Sequence, residues 1–368
     1  MSNEARPAIK TAAGAADLCG VPMAKRIKNL VGLDIDPSGL TAVEVAVNGR
    51  ISVERAATAP LEAGILRDGE IADVEGLTEA LRALWKQNKR LGKRVRVGVA
   101  SQKIVVRVID MPPIDDPKQL DTAVRFQAQD HLPMPVDSAV LDHQALGVVD
   151  SGSGPRQRVL LVAARREMVD RILAAVRGAG LRPEGIDLSA FAMVRALYRP
   201  AEGEAPILYV AVGGLTNLAV ARGTTCLFTR AAGAGLEALT IELAERRSLT
   251  LEHARGWLAH VGLEEPLEEI EGDAAIVAEA RRVLLEGVRR IAADVRNTLD
   301  FHSAQATAEP VSRAILTGPA TSVPGFAAAL RAELGLPVEI GAVDHAPAGH
   351  EPGRLTIAAG LAVTEAPA

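Results

Sequence analysis

One pattern of strands and turns occurs twice in this chain, and it limits the folds that the chain can adopt. Residues 30–59 predict a strand, a tight turn at Pro37-Ser38-Gly39, a second strand, a turn at Asn48-Gly49 and a third strand. Residues 207–233, ILYVAVGGLTNLAVARGTTCLFTRAAG, begin the pattern again with a glycine-rich turn. Two α/β lobes that open in this way could place their turns opposite each other across a cleft. A ligand in that cleft would contact both turns.

Helical patterns connect these units. Apolar residues spaced along one helix face predict a helix in VEGLTEALRALWKQNKR, and a second helix is predicted from about Pro117 to His131, before the segment LPMP. The chain is predicted to be helical again from about Leu236 to Ser303. Residues 1–26 are small and polar and are interpreted as a flexible tail, with Met23 as plausible a chain start as Met1.

The composition excludes several classes of function. The net charge is −5 and aromatic residues make up 2% of the chain, so neither a basic field nor base-stacking side chains favour nucleic acid as a partner. Two cysteines, Cys19 and Cys226, are too few for a zinc site and fit a reducing compartment. No apolar stretch of about 18 residues predicts a membrane span, and the first 27 residues lack the apolar core of a secretory signal. We therefore expect a cytoplasmic protein.

The sequence offers no recognisable catalytic or metal motif. Its seven histidines show no HxxxH spacing, no CxxC pair occurs, and no Ser-His-Asp or Cys-His set can be traced. Candidate site residues therefore come from the turns.

The first turn allows two interpretations. Asp34 at the end of a strand is an ordinary turn residue, because Asp bonds nearby backbone amides. Alternatively, the amides of the turn bind a phosphate while the acid holds magnesium through water. Ser38 and Gly39 suit that role, whereas Asp36 adds a negative charge and Pro37 removes a donor.

Two further turns carry candidate residues. In VGGLTNL, Gly213, Gly214, Thr216 and Asn217 could supply amides and a hydroxyl, but Ala211 stands where an acid is wanted. In LTGPATSVPGF, Gly318 follows a strand and precedes a helix, which is where α/β proteins receive nucleotides. The alternative for this last segment is a loop capped by a serine.

The order of elements and several segments resemble the PilM family, the actin-like cytoplasmic component of type IV pilus assembly, which is related to the division protein FtsA. The resemblance extends from about Asn29 to Val363. The most specific segment is VRFQAQDHLPMPVDSAVLDHQAL, residues 124–146. VLLVAARREMVDRILAAVRGAGLRPEGID, VRNTLDFHSAQ and LTGPATSVPGFAAALRAELGLPVEI also resemble family segments.

The resemblance implies an α/β, actin-like fold with two ribonuclease H-like lobes and the small extra subdomain of PilM and FtsA. The expected division follows the tail. It comprises a first lobe (27–98 and 181–200), an inserted subdomain (99–180), a second lobe (201–245 and 305–368) and a helical subdomain (246–304).

The resemblance also implies a nucleotide site. Asp34 matches the family acid and is the expected magnesium-side residue. The other expected nucleotide contacts are Ser38, Gly39, Gly213, Gly214, Thr216, Asn217 and Gly318. Departures occur at Asp36, Pro37 and Thr41 in the first loop, at Ala211 in the second and at Pro319 and Ala320 in the third. We therefore expect binding of ATP with Mg²⁺ to be weak or lost, and we expect no catalytic residues.

By resemblance, the expected function is a scaffold on the cytoplasmic face of the inner membrane. It would bind the N-terminal tail of PilN in a groove near residues 99–146 and join the PilN/PilO complex without inserting into the membrane. Two alternatives remain open at this point: an active ATPase of the same fold, and an FtsA-like division protein. The chain ends RLTIAAGLAVTEAPA, without the basic amphipathic helix expected of the latter.

Overall fold

The computed structural model describes residues 30–152, 154–200, 205–304 and 309–366. The predicted tail at residues 1–26, with Met23, lies outside the described residues. Within the described ranges, no helix has both the length and the apolar character needed to cross a membrane.

The opening unit contains three antiparallel strands, a small hairpin, a helix and a further strand. Their bounds are β1 (Leu30–Asp36), β2 (Gly39–Val47), β3 (Ile51–Ala59), β4 (Leu66–Arg67), β5 (Glu70–Ile71), α1 (Val74–Gln87) and β6 (Arg94–Val99). The predicted hairpin turns at Pro37–Ser38 and Asn48–Gly49 are confirmed by the pairing of β1 with β2 and of β2 with β3. Helix α1 begins after Asp73, whose side chain accepts a hydrogen bond from the Gly76 amide.

The inserted unit follows as β7 (Val105–Met111), α2 (Pro117–His131), β8 (Ala139–Ser151) and β9 (Gly154–Arg165). The strands form an antiparallel sheet in the order β7-β9-β8. The bounds predicted for α2 are confirmed: Asp116 caps its first turn, and the helix ends before Pro133, which disfavours a helical residue in front of it. Alternate residues of β9 face α2 (Val159, Leu161) and the core of the first lobe (Leu160, Val162).

The chain then returns to the first lobe through α3 (Arg166–Gly178), β10 (Arg182–Leu188) and α4 (Ser189–Leu197). The first sheet has the order β3-β2-β1-β6-β10, with β6 parallel to both β1 and β10. The sequence-based division placed α3 in the inserted subdomain. In the structure α3 packs against α1 of the first lobe and against β8 and β9 of the inserted unit, and Met168 and Ile172 lie in a core cluster that contains residues of both.

The second lobe repeats the arrangement. Its elements are β11 (Ile207–Val212), β12 (Thr216–Arg222), β13 (Thr225–Ala232), α5 (Leu236–Arg247), α6 (Leu251–Val261), α7 (Ala274–Ser303), β14 (Ala314–Thr317), α8 (Phe326–Leu334), β15 (Val338–Ile340) and α9 (Pro352–Leu361). The sheet order, β13-β12-β11-β14-β15, is that of the first sheet, with the same antiparallel and parallel neighbours. The repeat predicted from the sequence is therefore present.

The lobes are joined by two helices that cross between the sheets. α4 packs on α9 and β12, whereas α9 packs on β1 and β2. A Cβ atom at Gly32 would lie 1.8 Å from the Ala358 carbonyl oxygen, and one at Gly360 would lie 1.8 Å from that of Ala192. These two glycines allow the backbones to approach closely, so the base of the space between the lobes is tightly packed.

Candidate functional site

Asp34 lies near the end of β1, where it pairs with Thr41 of β2 and Gly98 of β6. Its carboxylate accepts a hydrogen bond from the Ser189 hydroxyl, with 3.3 Å between the oxygens. Burial, and then the neighbouring charge of Asp36, raise the pKa of Asp34 to about 7 against the lowering influence of Ser189 and Arg354. Asp34 can therefore hold or release a proton near neutral pH.

Asp36 connects the first turn to the second. Its Oδ1 accepts hydrogen bonds from the Ser38 amide at 2.9 Å and the Ser38 hydroxyl at 2.5 Å. The same oxygen accepts the Gly214 amide at 2.7 Å, and Oδ2 accepts the Leu215 amide at 3.3 Å. The carboxylate of the first lobe is thus bound by backbone donors of the second.

The two turns are in direct contact. A Cβ atom at Gly214 would lie 2.6 Å from Asp36 Oδ1, 2.6 Å from the Ser38 nitrogen and 2.9 Å from the Pro37 Cβ. At Gly213 the nearest contact would be Asp36 at 3.3 Å. The structure therefore brings Asp34, Ser38, Gly213 and Gly214 together around Asp36.

The other residues expected at this site contact neighbouring elements. Gly39 has φ of 146° and packs against the Ala59 carbonyl of β3. The Thr216 hydroxyl donates to the Ala234 carbonyl oxygen at 2.5 Å. The Gly318 amide donates to the Gly353 carbonyl oxygen at 3.2 Å. Asn217 lines a small cavity of about 30 Å³ beside Ser101. The contacts of Gly39, Thr216 and Gly318 are structural, whereas Asn217 faces a cavity that is lined by residues of both lobes.

A metal site was expected at Asp34. Among the described residues, no cluster of three or more His, Cys, Asp or Glu side chains is arranged to hold a metal ion. The position of Ala211, which pairs with Asn217, contributes no acid from the second lobe.

Sequence reasoning missed Ser189 and Leu215, and it treated Asp36 only as an unfavourable charge. The segment IDLS at the end of β10 was a usable signal for Ser189, because β10 and β1 both lie beside β6 and end at the same edge. The bond between Asp36 and Gly214 joins residues 178 positions apart, so no local pattern could indicate it.

A second candidate site is a groove of about 800 Å³ between the first lobe and the inserted unit. Its walls are the start of α1, the turn that follows α2 and the first turns of α3. The lining residues are Val74, Pro133, Met134, Pro135, Ser138, Arg165, Arg166, Glu167, Asp170, Arg171 and Ala174. Arg166 fixes one wall by donating to the Ala139 carbonyl oxygen at 3.0 Å. The groove combines an apolar surface with charges of both signs.

Comparison with solved structures shows the fold. A PilM–PilN type IV pilus biogenesis complex matches with a TM-score of 0.75 and 26% identity, covering 92% of this chain and 98% of that one. The ethanolamine utilization protein EutJ from Carboxydothermus hydrogenoformans matches at 17% identity and TM-score 0.53, over 90% of this chain and 88% of its own. MreB5 of Spiroplasma citri bound to ADP matches at 12% identity and TM-score 0.53, over 90% and 94%. The expected actin-like fold is confirmed.

The family model described as type IV pilus assembly protein PilM matches residues 32–345. This range includes the turns of both lobes and the groove beside the inserted unit, and with the matching fold it confirms the resemblance drawn from the sequence. The chain belongs to the PilM family of type IV pilus assembly proteins.

Proposed function

We propose that this chain is a scaffold of the pilus assembly machinery and that it binds the short N-terminal tail of PilN. The observation that carries the proposal is the match to a PilM–PilN complex over nearly the whole of both chains. In this role the protein works on the cytoplasmic face of the inner membrane, next to the PilN/PilO complex. Its attachment to the membrane is through its partner.

The groove between α1, α3 and the inserted unit is the proposed site for the PilN tail. Val74, Pro133 and Met134 provide apolar surface, and Arg165, Glu167 and Asp170 provide charged groups along the same groove. A volume of about 800 Å³ accommodates several side chains of an extended peptide. Apolar contacts would supply affinity, and the charges would fix the direction of the peptide.

We also propose that the nucleotide cleft is degenerate. The Gly214 and Leu215 amides, which are placed to receive a phosphate, bind Asp36 instead. Ala211 supplies no acid for Mg²⁺ near the end of β11, and the Asp36 carboxylate lies in the space between the two turns. These residues fit ATP with Mg²⁺ poorly, so no step of the proposed function uses nucleotide hydrolysis.

Calorimetric titration with a synthetic peptide of the cognate PilN tail tests the main proposal. Ala174 is exposed on α3 and lines the groove, so Ala174→Glu adds volume and charge there without disturbing the core. We expect this variant to weaken binding by at least about tenfold, which corresponds to 1.4 kcal/mol. Ala278→Glu places the same change on an exposed position of α7 and serves as the matched control. If the peptide does not bind to the unchanged chain, the proposed function is wrong.

One observation favours a second function, that of an active ATPase. Asp34 is a buried acid whose pKa is raised to about 7, which is the property of a general base that works at neutral pH. ATP turnover by the purified chain that is abolished by Asp34→Ala would support this alternative. The scaffold proposal predicts no measurable turnover in either protein.

A further inference from the structure

We infer that the Asp36 carboxylate is a built-in substitute for a phosphate, which fills the anion position between the two turns and holds the lobes together. The contact lies between the two turns, and its residues are not among those that line the groove proposed for PilN. It is a separate property of the molecule, and its test does not involve the peptide.

The first line of support is the chemistry of the donors. Successive backbone amides in a turn form a concave site that binds anions. In the second turn the amides of Gly214 and Leu215 both reach the Asp36 carboxylate, at 2.7 and 3.3 Å. A carboxylate oxygen and a phosphate oxygen accept such bonds in the same way.

The second line is that these bonds cross between lobes. The bonds from the Ser38 amide and hydroxyl alone would make an ordinary Asx turn within the first lobe. The bonds from Gly214 and Leu215 come from the other lobe, so the carboxylate is shared by both turns. A shared anion holds the two turns in register in the way that a bound ligand would.

The third line is shape. Gly214 is the position at which any side chain would collide with Asp36, Ser38 and Pro37, with distances of 2.6 to 2.9 Å from its Cβ atom. Pro37 removes an amide that could bind an external phosphate and fills space beside Gly214. Asp36, Pro37 and Gly214 therefore form one matched arrangement across the cleft.

An external anion meets two obstacles at this site. It must displace Asp36 from the amides, and it must approach the negative charges of Asp36 and, above neutral pH, Asp34. In a variant without the Asp36 carboxylate, the amides of Gly214 and Leu215 would remain but would have no acceptor from Asp36. That variant is expected to accept an external anion.

Thermal unfolding of the full-length chain with inorganic phosphate as the probe tests the inference. We expect Asp36→Gly to lower Tm by about 3–6 °C. Sodium phosphate at about 20 mM, compared with chloride at equal ionic strength, should raise the Tm of this variant by about 2–4 °C and leave the unchanged chain within 1 °C. Asp115→Gly, at an exposed aspartate outside the cleft, is the matched control and should show no phosphate response.

A second variant, Asp36→Ala, removes the carboxylate while keeping the Cβ atom, and covers the case in which Asp36→Gly does not fold. We expect a smaller fall in Tm and a gain of phosphate response in the same direction. Stabilisation of the unchanged chain by phosphate to the same extent as the variants would overturn the inference. So would variants whose Tm rises no further with phosphate than that of Asp115→Gly.

Discussion

The two lobes have the same sheet but different chemistry at the ends of their first strands. In the first lobe β1 ends with Asp34 and Asp36, and in the second lobe β11 leads into Gly213 and Gly214 after Ala211. The first lobe thus supplies an acceptor and the second supplies backbone donors, which meet at 2.7 Å. The two lobes share one sheet arrangement, and their two turns are complementary to each other.

The two lobes also differ in the units that are inserted between their strands. The first lobe carries a three-stranded sheet with α2, and this unit forms one side of the groove proposed for PilN. The second lobe carries α5, α6 and α7, whose apolar faces belong to a separate core. Differences between the lobes therefore concentrate at the ends of strands and in the inserted units, and the five-stranded sheets that position them are alike.

The largest effect is expected at the charged contact by which the first lobe binds α9. Arg195 is 1% exposed, and its guanidinium donates to Asp187 at 2.5 Å and to the Gly360 carbonyl oxygen at 3.0 Å. Arg195→Met leaves the buried Asp187 charge without its cation, so the free energy of unfolding should fall by about 3–5 kcal/mol. Urea denaturation measures this change.

The matched change on the second-lobe side is Thr356→Val. There α9 is held by a hydroxyl pair, in which Thr317 donates to Thr356 at 2.8 Å. Loss of this neutral bond should cost about 1 kcal/mol. Equal costs for Arg195→Met and Thr356→Val would contradict the distinction between a charged and a neutral contact.

The next effect concerns Asp34. In the second lobe the corresponding strand has Ala211 where an acid would be expected. The pKa of Asp34 is raised from 3.8 to about 7, so between these values the folded protein binds more protons than the unfolded chain. The free energy of unfolding should therefore fall as pH rises from 4 to 7 and stay level above. Asp34→Asn should stabilise the protein at pH 8 by up to about 4 kcal/mol, with little gain at pH 4.

Urea denaturation at pH 4.5, 6 and 8 measures this dependence, and Asp115→Asn is a control at an exposed carboxylate. A variant that is less stable than the unchanged chain at pH 8 would show that ionised Asp34 makes favourable contacts that outweigh its burial.

The sequence could predict the lobes because local patterns determine them. Alternating apolar residues, the Asn48-Gly49 turn and the Asp116-Pro117 helix start each act over a few residues, and the strands and helices follow them. The site could be predicted only as a set of candidates. The bonds of Asp36 to Gly214 and of Ser189 to Asp34 join residues 178 and 155 positions apart, and depend on how the lobes approach each other. The packing of α3 on both α1 and β9 likewise joins segments that are distant in the sequence or belong to different units.

A smaller, steric effect should distinguish the two glycines of the second turn. Neither has a positive φ, so alanine is compatible with the backbone at both. Gly214→Ala would bring a methyl group within 2.6 Å of Asp36 Oδ1 and the Ser38 nitrogen, whereas at Gly213 the nearest atoms lie at 3.3 Å. We expect Gly214→Ala to lower the free energy of unfolding by about 1–3 kcal/mol and Gly213→Ala by less. Equal values in urea denaturation would mean that the turns separate without cost.

The smallest expected effect is that of ATP on the affinity for the PilN peptide. This measurement tests whether a ligand between the two lobes changes the groove on the first lobe. In the PilM family fold the cleft lies between the lobes, whereas the proposed groove is formed by the first lobe and its insertion alone. If Asp36 already holds the turns together, a nucleotide has no open state to close and cannot change the groove by differential binding. The Kd of the PilN peptide should change less than about twofold with 5 mM Mg-ATP, which is under about 0.4 kcal/mol of coupling. Calorimetry measures the ratio of the Kd values with and without Mg-ATP, and a tenfold change would show that the cleft still controls the groove.

The same titration with Asp36→Gly tests the role of the carboxylate. If Mg-ATP changes the Kd of the peptide in this variant alone, the Asp36 carboxylate is the group that prevents coupling between nucleotide and peptide in the unchanged chain.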